Sequence, residues 1–284
     1  MNIYGRALVS IIDDLLATLP SPGPDVREVR IGAFWTAVVL EPAPFQKSAL
    51  ITGGSRIRTF PKIRGYYRCG LASALRDDDH HHHAHNPVRE AGHLHERSAR
   101  ELAELARSES LLEASIGLAT INALLDVDED ACVELNAEQV ILEQGASRRV
   151  AVVGHFPFIS RVREAAKQLW VLEKRPGEGD LPAEAASEII PQANVVAITG
   201  TSLINHTFEE LIELCCPEAF VLVLGPTTPL SPVLFDYGVD VISGTLVTEP
   251  ETVLRYISQG ASFRQVKRGK GVKLLTLARG TLRK

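Results

Sequence analysis

Beyond residue 148, short apolar runs alternate with segments of helical pattern, and this alternation constrains the fold more than any other feature of the chain. The runs begin about 20 to 25 residues apart, which leaves room for one helix between consecutive runs. Near-continuous apolar strands separated by helices are typical of a parallel sheet covered on both faces. We therefore predict an α/β protein with a Rossmann-like, mostly parallel sheet. The predicted strands are Val150–Val153, Trp170–Glu173, Val195–Thr199, Phe220–Leu224 and Val239–Ile242.

Helical patterns fill the intervals between these strands. Capping boxes that begin at Thr207 and Thr248 predict two helix starts, because the threonine hydroxyl and a glutamate three residues later can satisfy the free N–H groups. Lys267–Thr276, with glycines at its centre, predicts a terminal hairpin. The predicted helices are Ile159–Leu169, Ala183–Ile190, Phe208–Cys216, Pro232–Tyr237 and a last one that ends at Gly260.

The segment that precedes this sheet has a different pattern. Apolar residues three and four apart in Ile3–Leu19 predict an amphipathic helix, and Val26–Phe60 reads as strands. Ser98–Leu125 again predicts helix, either as one helix or as two that are separated near Ser108. The N-terminal part is therefore predicted to be α+β.

The length of 284 residues fits two domains of ordinary size. We predict a smaller α+β domain over residues 1–110, with a histidine-rich loop at 77–95. A Rossmann-like domain would follow over residues 111–284 and include the linking helix 111–125. The apolar fraction of 45% and charged fraction of 23% are those of a globular protein that can bury a core without staples.

Charge and cysteine content exclude several classes of protein. Lys and Arg number 30 and Asp and Glu number 35, and the resulting charge of −5 argues against a dedicated nucleic-acid binder. No apolar run is long enough for a transmembrane helix, and Asp13 and Asp14 interrupt the N-terminal apolar stretch, unlike a signal peptide. The four cysteines form no CxxC pair, which favours reduced thiols. We therefore expect a cytoplasmic protein with no membrane partner.

Polar turns follow all five predicted strands. In a doubly wound sheet, ligands bind beyond the carboxyl ends of the strands, so these turns should meet at one edge. Backbone N–H groups at helix N-termini, together with Ser and Thr hydroxyls, suit an anionic ligand. Such turns also use these residues simply for tight turns and caps, which is the alternative interpretation. The five segments are 154–157, 173–175, 199–202, 225–229 and 243–245.

The turn after the first strand bears on the choice of cofactor. Glu173 lies 19 residues after Gly154, near the spacing of the ribose-binding acid in dinucleotide folds. However, Gly154 is followed by His155, Phe156 and Pro157 instead of a glycine fingerprint, and these bulky residues argue against NAD. His155 could serve acid–base chemistry or ligate a metal, or it could be a turn histidine bonded to the backbone.

Residues 77–95 have low complexity and predict a histidine-rich loop. Neutral imidazoles bind Zn²⁺, Ni²⁺ and Cu²⁺, so a divalent transition metal is the candidate cofactor. The spacing does not match the fixed ligand pairs of a structural site, so a solvated loop with adventitious affinity is the alternative. The candidate metal ligands are His80, His81, His82, His83, His85 and His155.

A basic stretch lies between Arg56 and Arg76, with six basic residues, no acidic one, and Tyr66 and Tyr67 among them. Aromatic residues among basic ones could bind nucleic acid. They could equally line an anionic-ligand cleft or pair with the aspartates at 77–79. Given the net charge, we prefer the last two interpretations.

The helical segment Glu113–Ala123 is rich in small residues. Ser115, Ala119 and Asn122 lie on one face, at i, i+4 and i+7. Small residues allow close packing against another domain or a ligand, and packing alone is a sufficient role for the alanines. Glu113, Ser115 and Asn122 still require polar partners there.

Four motifs together resemble a known family. They are Glu113–Ala123, Val152–Pro157, Glu173–Asp180 and Gly225–Pro232. In this order along the chain, they resemble the family described as "putative heavy-metal chelation". The resemblance is close over about Leu111–Ala278 and much looser over Ile3–Arg68.

The resemblance implies an enolase N-terminal-like domain joined to a Rossmann-like domain, with a site in the cleft between them. It also implies a role in handling metals or metal chelates. Residues 77–95 depart from the family pattern. The family motifs and the polar turns together give our predicted ligand-binding set: Glu113, Ser115, Asn122, Gly154, His155, Phe156, Glu173, Thr199, Gly200, Thr201, Gly225, Pro226, Thr227, Thr228, Ser243 and Gly244.

The leading hypothesis is a cytoplasmic protein that binds, or acts on, a metal ion, a metal chelate or a small anionic ligand between two domains. One alternative is a Rossmann-type enzyme that uses a nucleotide or S-adenosylmethionine. A second is a metal buffer that acts through its histidine-rich loop alone. The sequence assigns no catalytic residue. A homo-oligomer is compatible with so small a sheet, and nucleic acid is the least favoured partner.

Overall fold

The computed structural model describes residues 10–42, 67–76 and 88–280, which form two sheets. The smaller sheet is antiparallel, and its middle strand pairs with both others. Its strands are β1 (Val26–Ile31), β2 (Trp35–Leu40) and β3 (Arg68–Ser73).

The larger sheet consists of seven strands. They are β4 (Arg149–Val153), β5 (Gln168–Glu173), β6 (Leu181–Pro182), β7 (Val195–Thr199), β8 (Phe220–Leu224), β9 (Val241–Val247) and β10 (Val272–Ala278). Their order across the sheet is β10-β9-β8-β7-β4-β5-β6, and all neighbours are parallel except β9 and β10. The predicted α/β class and mostly parallel sheet are confirmed.

Helices occupy most of the segments between strands. The α-helices of the described residues are α1 (Ile11–Ala17), α2 (Ala99–Glu104), α3 (Leu111–Leu124), α4 (Ala137–Gly145), α5 (Ile159–Ala165), α6 (Ala186–Ile189), α7 (Phe208–Glu213), α8 (Pro250–Ser258) and α9 (Phe263–Arg268). Short 3₁₀ helices span Leu94–Glu96, Leu105–Arg107, Glu129–Ala131, Ala183–Ala185, Ile190–Gln192, Gly200–Leu203 and Pro232–Tyr237.

The large sheet buries both of its faces, as its continuous apolar strands require. On one face, Val150 and Val152 of β4 pack in the same apolar cluster as Val162 of α5. On the other, Ala151 of β4 belongs to the cluster that contains Phe208 of α7. The crossovers that leave β4 and β7 therefore run on opposite faces, and the gap between these two strands is the topological switch point of the sheet.

Helix α3 brings the small sheet against the large one. It begins at Ser110, whose side chain accepts from the backbone N–H of Glu113, and its residues are buried almost throughout. Gly70 of β3 lies so close to α3 that a Cβ added there would be 1.9 Å from the carbonyl oxygen of Ala119. Only glycine allows this approach. The break between α2 and α3 falls where the sequence predicted one, near Ser108.

Two predicted capping boxes are wrong. Thr207 caps α7 with no side-chain hydrogen bond, and its hydroxyl bonds instead to the Asn205 side chain. At α8 the N-cap is Glu249, and the backbone N–H groups of Thr248 and Glu249 both donate to the carbonyl oxygen of Gly271. A tertiary contact thus replaces the local cap.

Several predicted boundaries also change. The helix predicted over Ile159–Leu169 ends at Ala165, because β5 already begins at Gln168. The helix predicted over Phe208–Cys216 ends at Glu213, and Ala183–Ile190 is partly 3₁₀. The predicted terminal hairpin is wrong, because the last residues of α9 occupy its first arm. The second arm is β10, which pairs along the whole of β9 and extends that strand to Val247.

Some predictions fall outside the described residues. These are the start of the first predicted helix, the part of the strand region beyond residue 42, the basic stretch up to residue 66 and the histidine run at 80–85. The division of the chain at residue 110 stays a prediction. Within the described ranges, no helix combines the length and the apolar character needed to cross a membrane.

Candidate functional site

A cavity of about 690 Å³ lies between the two sheets, at the carboxyl ends of β4, β7 and β8. This is the switch-point position expected for a ligand in a doubly wound sheet. The volume is within the range of small-molecule sites. The small sheet contributes Trp35 and Ser73 to its wall. The remaining wall comes from residues 135–138, residues 156–158 and 161, the ends of β7 and β8, the middle of β9, helix α9 and β10.

Close backbone packing fixes the edge of the sheet beneath the cavity. A Cβ added at Gly200, directly after β7, would lie 2.4 Å from the Thr228 hydroxyl oxygen and 2.7 Å from its backbone nitrogen. The loops that follow β7 and β8 are therefore in contact, and any side chain at residue 200 would separate them. The glycine that the sequence singled out as a ligand contact has a packing role here.

The loop after β8 is tied to the small sheet by a polar network. The Thr227 hydroxyl accepts from the backbone N–H of Ser73 at 3.0 Å, and the two hydroxyl oxygens also lie 3.0 Å apart. Asn122 of α3 donates through Nδ2 to the carbonyl oxygens of Leu71 and Thr227, at 2.9 and 3.0 Å. Because Thr227 also lines the cavity, this network holds one wall in place.

Aromatic side chains form much of the cavity surface. The Trp35 and Phe263 rings lie 5.4 Å apart in a tilted arrangement, and Phe156 stacks on Phe158 with ring centroids 5.2 Å apart. All four residues line the cavity. Such rings offer a large apolar contact area and suit a ligand with an organic framework.

Three basic side chains lie around the same cavity. Arg161 pairs with Glu138, Nε to Oε1, at 2.6 Å. Arg264 and Lys267 are exposed, lie one turn apart on α9, and have no ion pair within 4.0 Å in the part of the chain that the structure describes. These two cations give the cavity a local positive charge although the whole chain has a formal charge of −5.

About half of the predicted ligand-binding set comes together at the cavity. The predicted residues at the cavity come from four of the five polar turns. Two of them, Ser243 and Gly244, lie inside β9 and not after it, because β10 extends that strand. Asn122, Gly200 and Thr228 lie behind this wall. The predicted residues that line the cavity are Phe156, Thr199, Thr201, Gly225, Pro226, Thr227, Ser243 and Gly244.

Glu113 and Ser115 lie elsewhere, on the first turns of α3. The Glu113 carboxylate accepts from Arg89 Nε and Nη2 and from the Ser108 hydroxyl, and only 3% of its side chain is exposed. These hydrogen bonds, above all those from Arg89, lower the pKa of Glu113 to about 2. Ser115 accepts from the Leu75 backbone N–H and donates to the carbonyl oxygen of Leu111.

His155 and Glu173 come together at the ends of β4 and β5, beside the cavity and not in its wall. The backbone N–H of His155 donates to Glu173 Oε2 at 3.0 Å. The His155 ring nitrogen Nδ1 lies 2.9 Å from Oδ2 of Asp180, a residue of the third family motif that was not in the predicted set. The backbone N–H of Gly154 donates to the carbonyl oxygen of Leu172 and so fixes the start of this turn.

Metal-binding groups were the second part of the prediction. His80 to His83 and His85 lie outside the described residues, and within the described ranges no three His, Cys, Asp or Glu side chains form a group that could hold a metal ion. Burial raises the pKa of the Cys69 and Cys215 thiols to about 12, which disfavours the thiolate form that metals require. The His206 ring nitrogen Nε2 bonds to the carbonyl oxygen of Ser108.

The sequence did not single out Trp35, Ser73, Arg161, Phe263, Arg264 or Lys267. One available signal was the distribution of charge, because the chain contains no acidic residue after Glu251. The excess of basic residues in that segment includes Arg264 and Lys267. Nothing in the local pattern marks Trp35 or Ser73, which reach the site through the packing of β2 and β3 on α3.

Comparisons with known proteins agree on the family and the fold. Two family models, both described as "Putative heavy-metal chelation", match residues 12–125 and 136–276. An uncharacterised protein of Methanocaldococcus jannaschii is 25% identical over 175 residues, which cover 58% of this chain and 67% of that protein.

Two crystal structures of proteins of unknown function are similar along nearly the whole chain. The protein from Desulfitobacterium hafniense DCB-2 has a TM-score of 0.72 and 24% identity, and the match covers 95% of this chain and 98% of that one. The protein from Pyrococcus horikoshii has a TM-score of 0.69 and 18% identity, with 94% and 98% covered. At these identities, the similarity establishes a shared fold.

Proposed function

The chain belongs to the family described as "Putative heavy-metal chelation", and we propose that it binds a small organic anion, or the metal chelate of such an anion, in the cavity between its two sheets. The observation that carries the proposal is the composition of the cavity wall. Hydroxyls and backbone groups from the strand ends face aromatic rings and the cations Arg264 and Lys267. This combination suits a ligand with an organic body and negative charge.

The same wall favours a chelate over a bare metal ion. Hydroxyl, aromatic and basic groups dominate it, and Glu138, its one acidic side chain among those described, is paired with Arg161. Divalent transition metals prefer imidazole and thiolate, whereas cations such as arginine and lysine attract carboxylates and phosphates. A metal would therefore enter with donor atoms of its own, and the protein would recognise the anionic chelator.

A calorimetric titration tests the anion part of the proposal. Citrate and pyrophosphate, as two unrelated polyanions, are titrated into the full-length protein at low salt. We expect at least one of them to bind, and the double variant Arg264→Gln/Lys267→Gln to bind it about 30-fold more weakly, since each of the two lost contacts to a charged group costs about 1 kcal/mol.

The control is Arg268→Gln/Lys270→Gln, which removes the same charge at the C-terminal end of α9 and just beyond it, at positions outside the cavity wall. If both double variants bound the anion equally weakly, the effect would come from the overall charge of the protein and not from contacts in the cavity. The absence of binding by either anion, or its full retention in Arg264→Gln/Lys267→Gln, would contradict the proposal.

The metal part needs a separate measurement, because the histidine run would itself take up metal. A full-length variant with His80 to His83 and His85 replaced by glutamine is loaded with nickel citrate and dialysed, and its nickel content is measured by plasma mass spectrometry. Retained nickel that decreases in the Arg264→Gln/Lys267→Gln background supports a chelate in the cavity. Loss of all nickel with the histidines would favour a metal buffer that acts through residues 77–95.

We also propose that the protein acts in the cytoplasm, on the basis of its charge and its four unpaired cysteines. Fractionation of cells that express the untagged chain tests this. Recovery with periplasmic or extracellular material would refute it.

A further inference from the structure

Hydrogen bonds hold both the backbone and the ring of His155. Its backbone N–H donates to Glu173 Oε2 at 3.0 Å, and its ring nitrogen Nδ1 lies 2.9 and 3.1 Å from the two carboxylate oxygens of Asp180. Asp180 is fixed in turn, because its Oδ2 accepts from the backbone N–H of Gly177 at 3.1 Å. The imidazole therefore has little freedom to rotate.

The exposure of the two partners is unequal. The Asp180 side chain is only 3% exposed, whereas that of His155 is 52% exposed. A buried carboxylate is costly unless it is paired and hydrogen-bonded, and here the imidazole is its side-chain partner. The pair consequently has an inner end, at the carboxylate, and an outer end, at the far side of the imidazole ring.

The chemistry of the pair determines what the outer end can do. An ionised carboxylate can only accept, so Nδ1 carries the hydrogen that it donates to Asp180. The lone pair of the neutral ring is then on Nε2, at the outer end. This carboxylate–histidine arrangement is the one that orients metal-binding histidines and raises their basicity.

The position of the pair separates it from the cavity. His155 lies two residues after the end of β4, and of its partners Glu173 ends β5 and Asp180 follows it. The next residue, Phe156, lines the cavity, whereas His155 does not. In the described ranges, no group of three or more His, Cys, Asp or Glu side chains that could hold a metal ion includes the pair. The site offers one nitrogen, which can complete the coordination of a metal but cannot hold one alone.

We propose that His155 Nε2 is a binding site for coordinatively unsaturated transition-metal chelates, in which the chelator supplies most ligands and leaves one position open. Cu²⁺, Ni²⁺ and Zn²⁺ are the metals of choice, because all three accept imidazole. Asp180 acts as the positioning residue behind the ligand. The site is independent of anion binding in the cavity, and either can fail without the other.

Copper(II) nitrilotriacetate is the probe, because it leaves a coordination position that imidazole can fill. The test uses a full-length parent variant in which the seven histidines from His80 to His95 are replaced by glutamine, so that His155 and His206 are the remaining imidazoles. Pulsed electron paramagnetic resonance reports coordination by a single imidazole, and a titration of that signal gives the affinity.

The expected result is one bound complex per chain that shows the imidazole nitrogen signal. His155→Gln should abolish the signal, whereas His206→Gln should leave it unchanged. Asp180→Asn should weaken binding by about 10-fold to 100-fold, the usual effect of removing a carboxylate behind a metal-bound histidine. The signal itself should persist at high probe concentration, because Asp180→Asn keeps the imidazole.

Circular dichroism and urea unfolding of each variant separate this role from a structural one. If Asp180 merely ties residues 177–180 to the turn after β4, Asp180→Asn will lower the urea midpoint and leave the copper affinity unchanged. That result would overturn the proposal. So would an imidazole signal that survives His155→Gln, or the absence of any imidazole signal in a folded parent variant.

Discussion

Replacing Glu113 with glutamine should lower both the stability of the protein and its sensitivity to acid. The carboxylate is buried and accepts from the backbone N–H, Nε and Nη2 of Arg89, at 2.8, 2.9 and 2.8 Å. It also accepts from the Ser108 hydroxyl at 2.7 Å. Glutamine keeps the size of the side chain but removes its charge and one acceptor, so donors of Arg89 and Ser108 lose their partner.

The magnitude follows from the depressed pKa. The fall in the pKa of Glu113 from 4.5 to about 2, caused first by the hydrogen bonds from Arg89, corresponds to about 3 kcal/mol of folding free energy. Because the folded pKa lies below the unfolded one, this stabilisation is fully present above pH 4.5 and is lost as the pH falls towards 2. Between pH 7 and pH 3, about 2 kcal/mol should disappear through this one group.

Urea unfolding at several pH values between 7 and 3 measures both effects. At pH 7, Glu113→Gln should unfold with a free energy about 3 kcal/mol below that of the unmodified protein, near the lower limit for breaking a buried ion pair. At pH 3 the difference should shrink to about 1 kcal/mol. The matched control is Glu109→Gln, an exposed glutamate four residues earlier that should change neither quantity by more than about 0.5 kcal/mol.

The result that would refute this reasoning is a constant difference between Glu113→Gln and the unmodified protein at every pH. Such an offset would mean that the lost contacts matter but that the charge of Glu113 does not. A value for Glu113→Gln equal to that of Glu109→Gln at pH 7 would refute the structural role altogether. Glu113 would then return as a candidate ligand-binding residue, the role that its family motif suggested.

Three further substitutions test how the sheets are packed. Gly70→Ala places a methyl group 1.9 Å from the Ala119 carbonyl oxygen and should lower the free energy of unfolding in urea by about 3 kcal/mol. An unchanged urea midpoint would show that α3 and β3 are further apart than the structure places them. Phe208→Ala leaves a cavity at a fully buried site and should lower the free energy of unfolding by about 4 kcal/mol and the melting temperature by roughly 10 °C. A decrease in melting temperature below about 3 °C would contradict this packing. Asn122→Ala removes the hydrogen bonds from Asn122 to Leu71 and to Thr227 and should lower the free energy of unfolding by about 2 kcal/mol. Hydrogen exchange in β3 should become faster, and an exchange rate equal to that of the unmodified protein would refute that link.

The sequence predicts the large sheet because its strands carry their own signal. Each central strand is a continuous apolar run, and the burial of both sheet faces requires this pattern. The start of α3 could also be predicted from the sequence, since Ser110 caps the helix through its own side chain. Where the stabilising contacts are local or repeat along one element, the amino-acid pattern is sufficient.

One prediction failed because a contact between distant segments replaces a local one. Thr248 has the sequence of a cap, yet Gly271 satisfies the N–H groups at that helix start. The capping box of α9, formed by Ser262 and Gln265, was visible in the sequence and would have excluded the predicted hairpin. Without β10 in its correct place, the extension of β9 through Ser243 could not be anticipated.

One part of the candidate site could be predicted from local sequence patterns, and the other part depends on contacts between distant segments. The turns after β4, β7 and β8 follow from the topology of the sheet alone, so their part of the cavity wall was predictable. The opposite wall exists because α3 connects the two sheets through Asn122, whose amide donates to β3 and to the loop after β8 at once. Trp35 and Ser73 reach the cavity through that connection and through the direct hydrogen bonds between Ser73 and Thr227. A ligand that contacts both walls must therefore stabilise the packing of the small sheet on the large one, since binding to the folded state alone raises its stability.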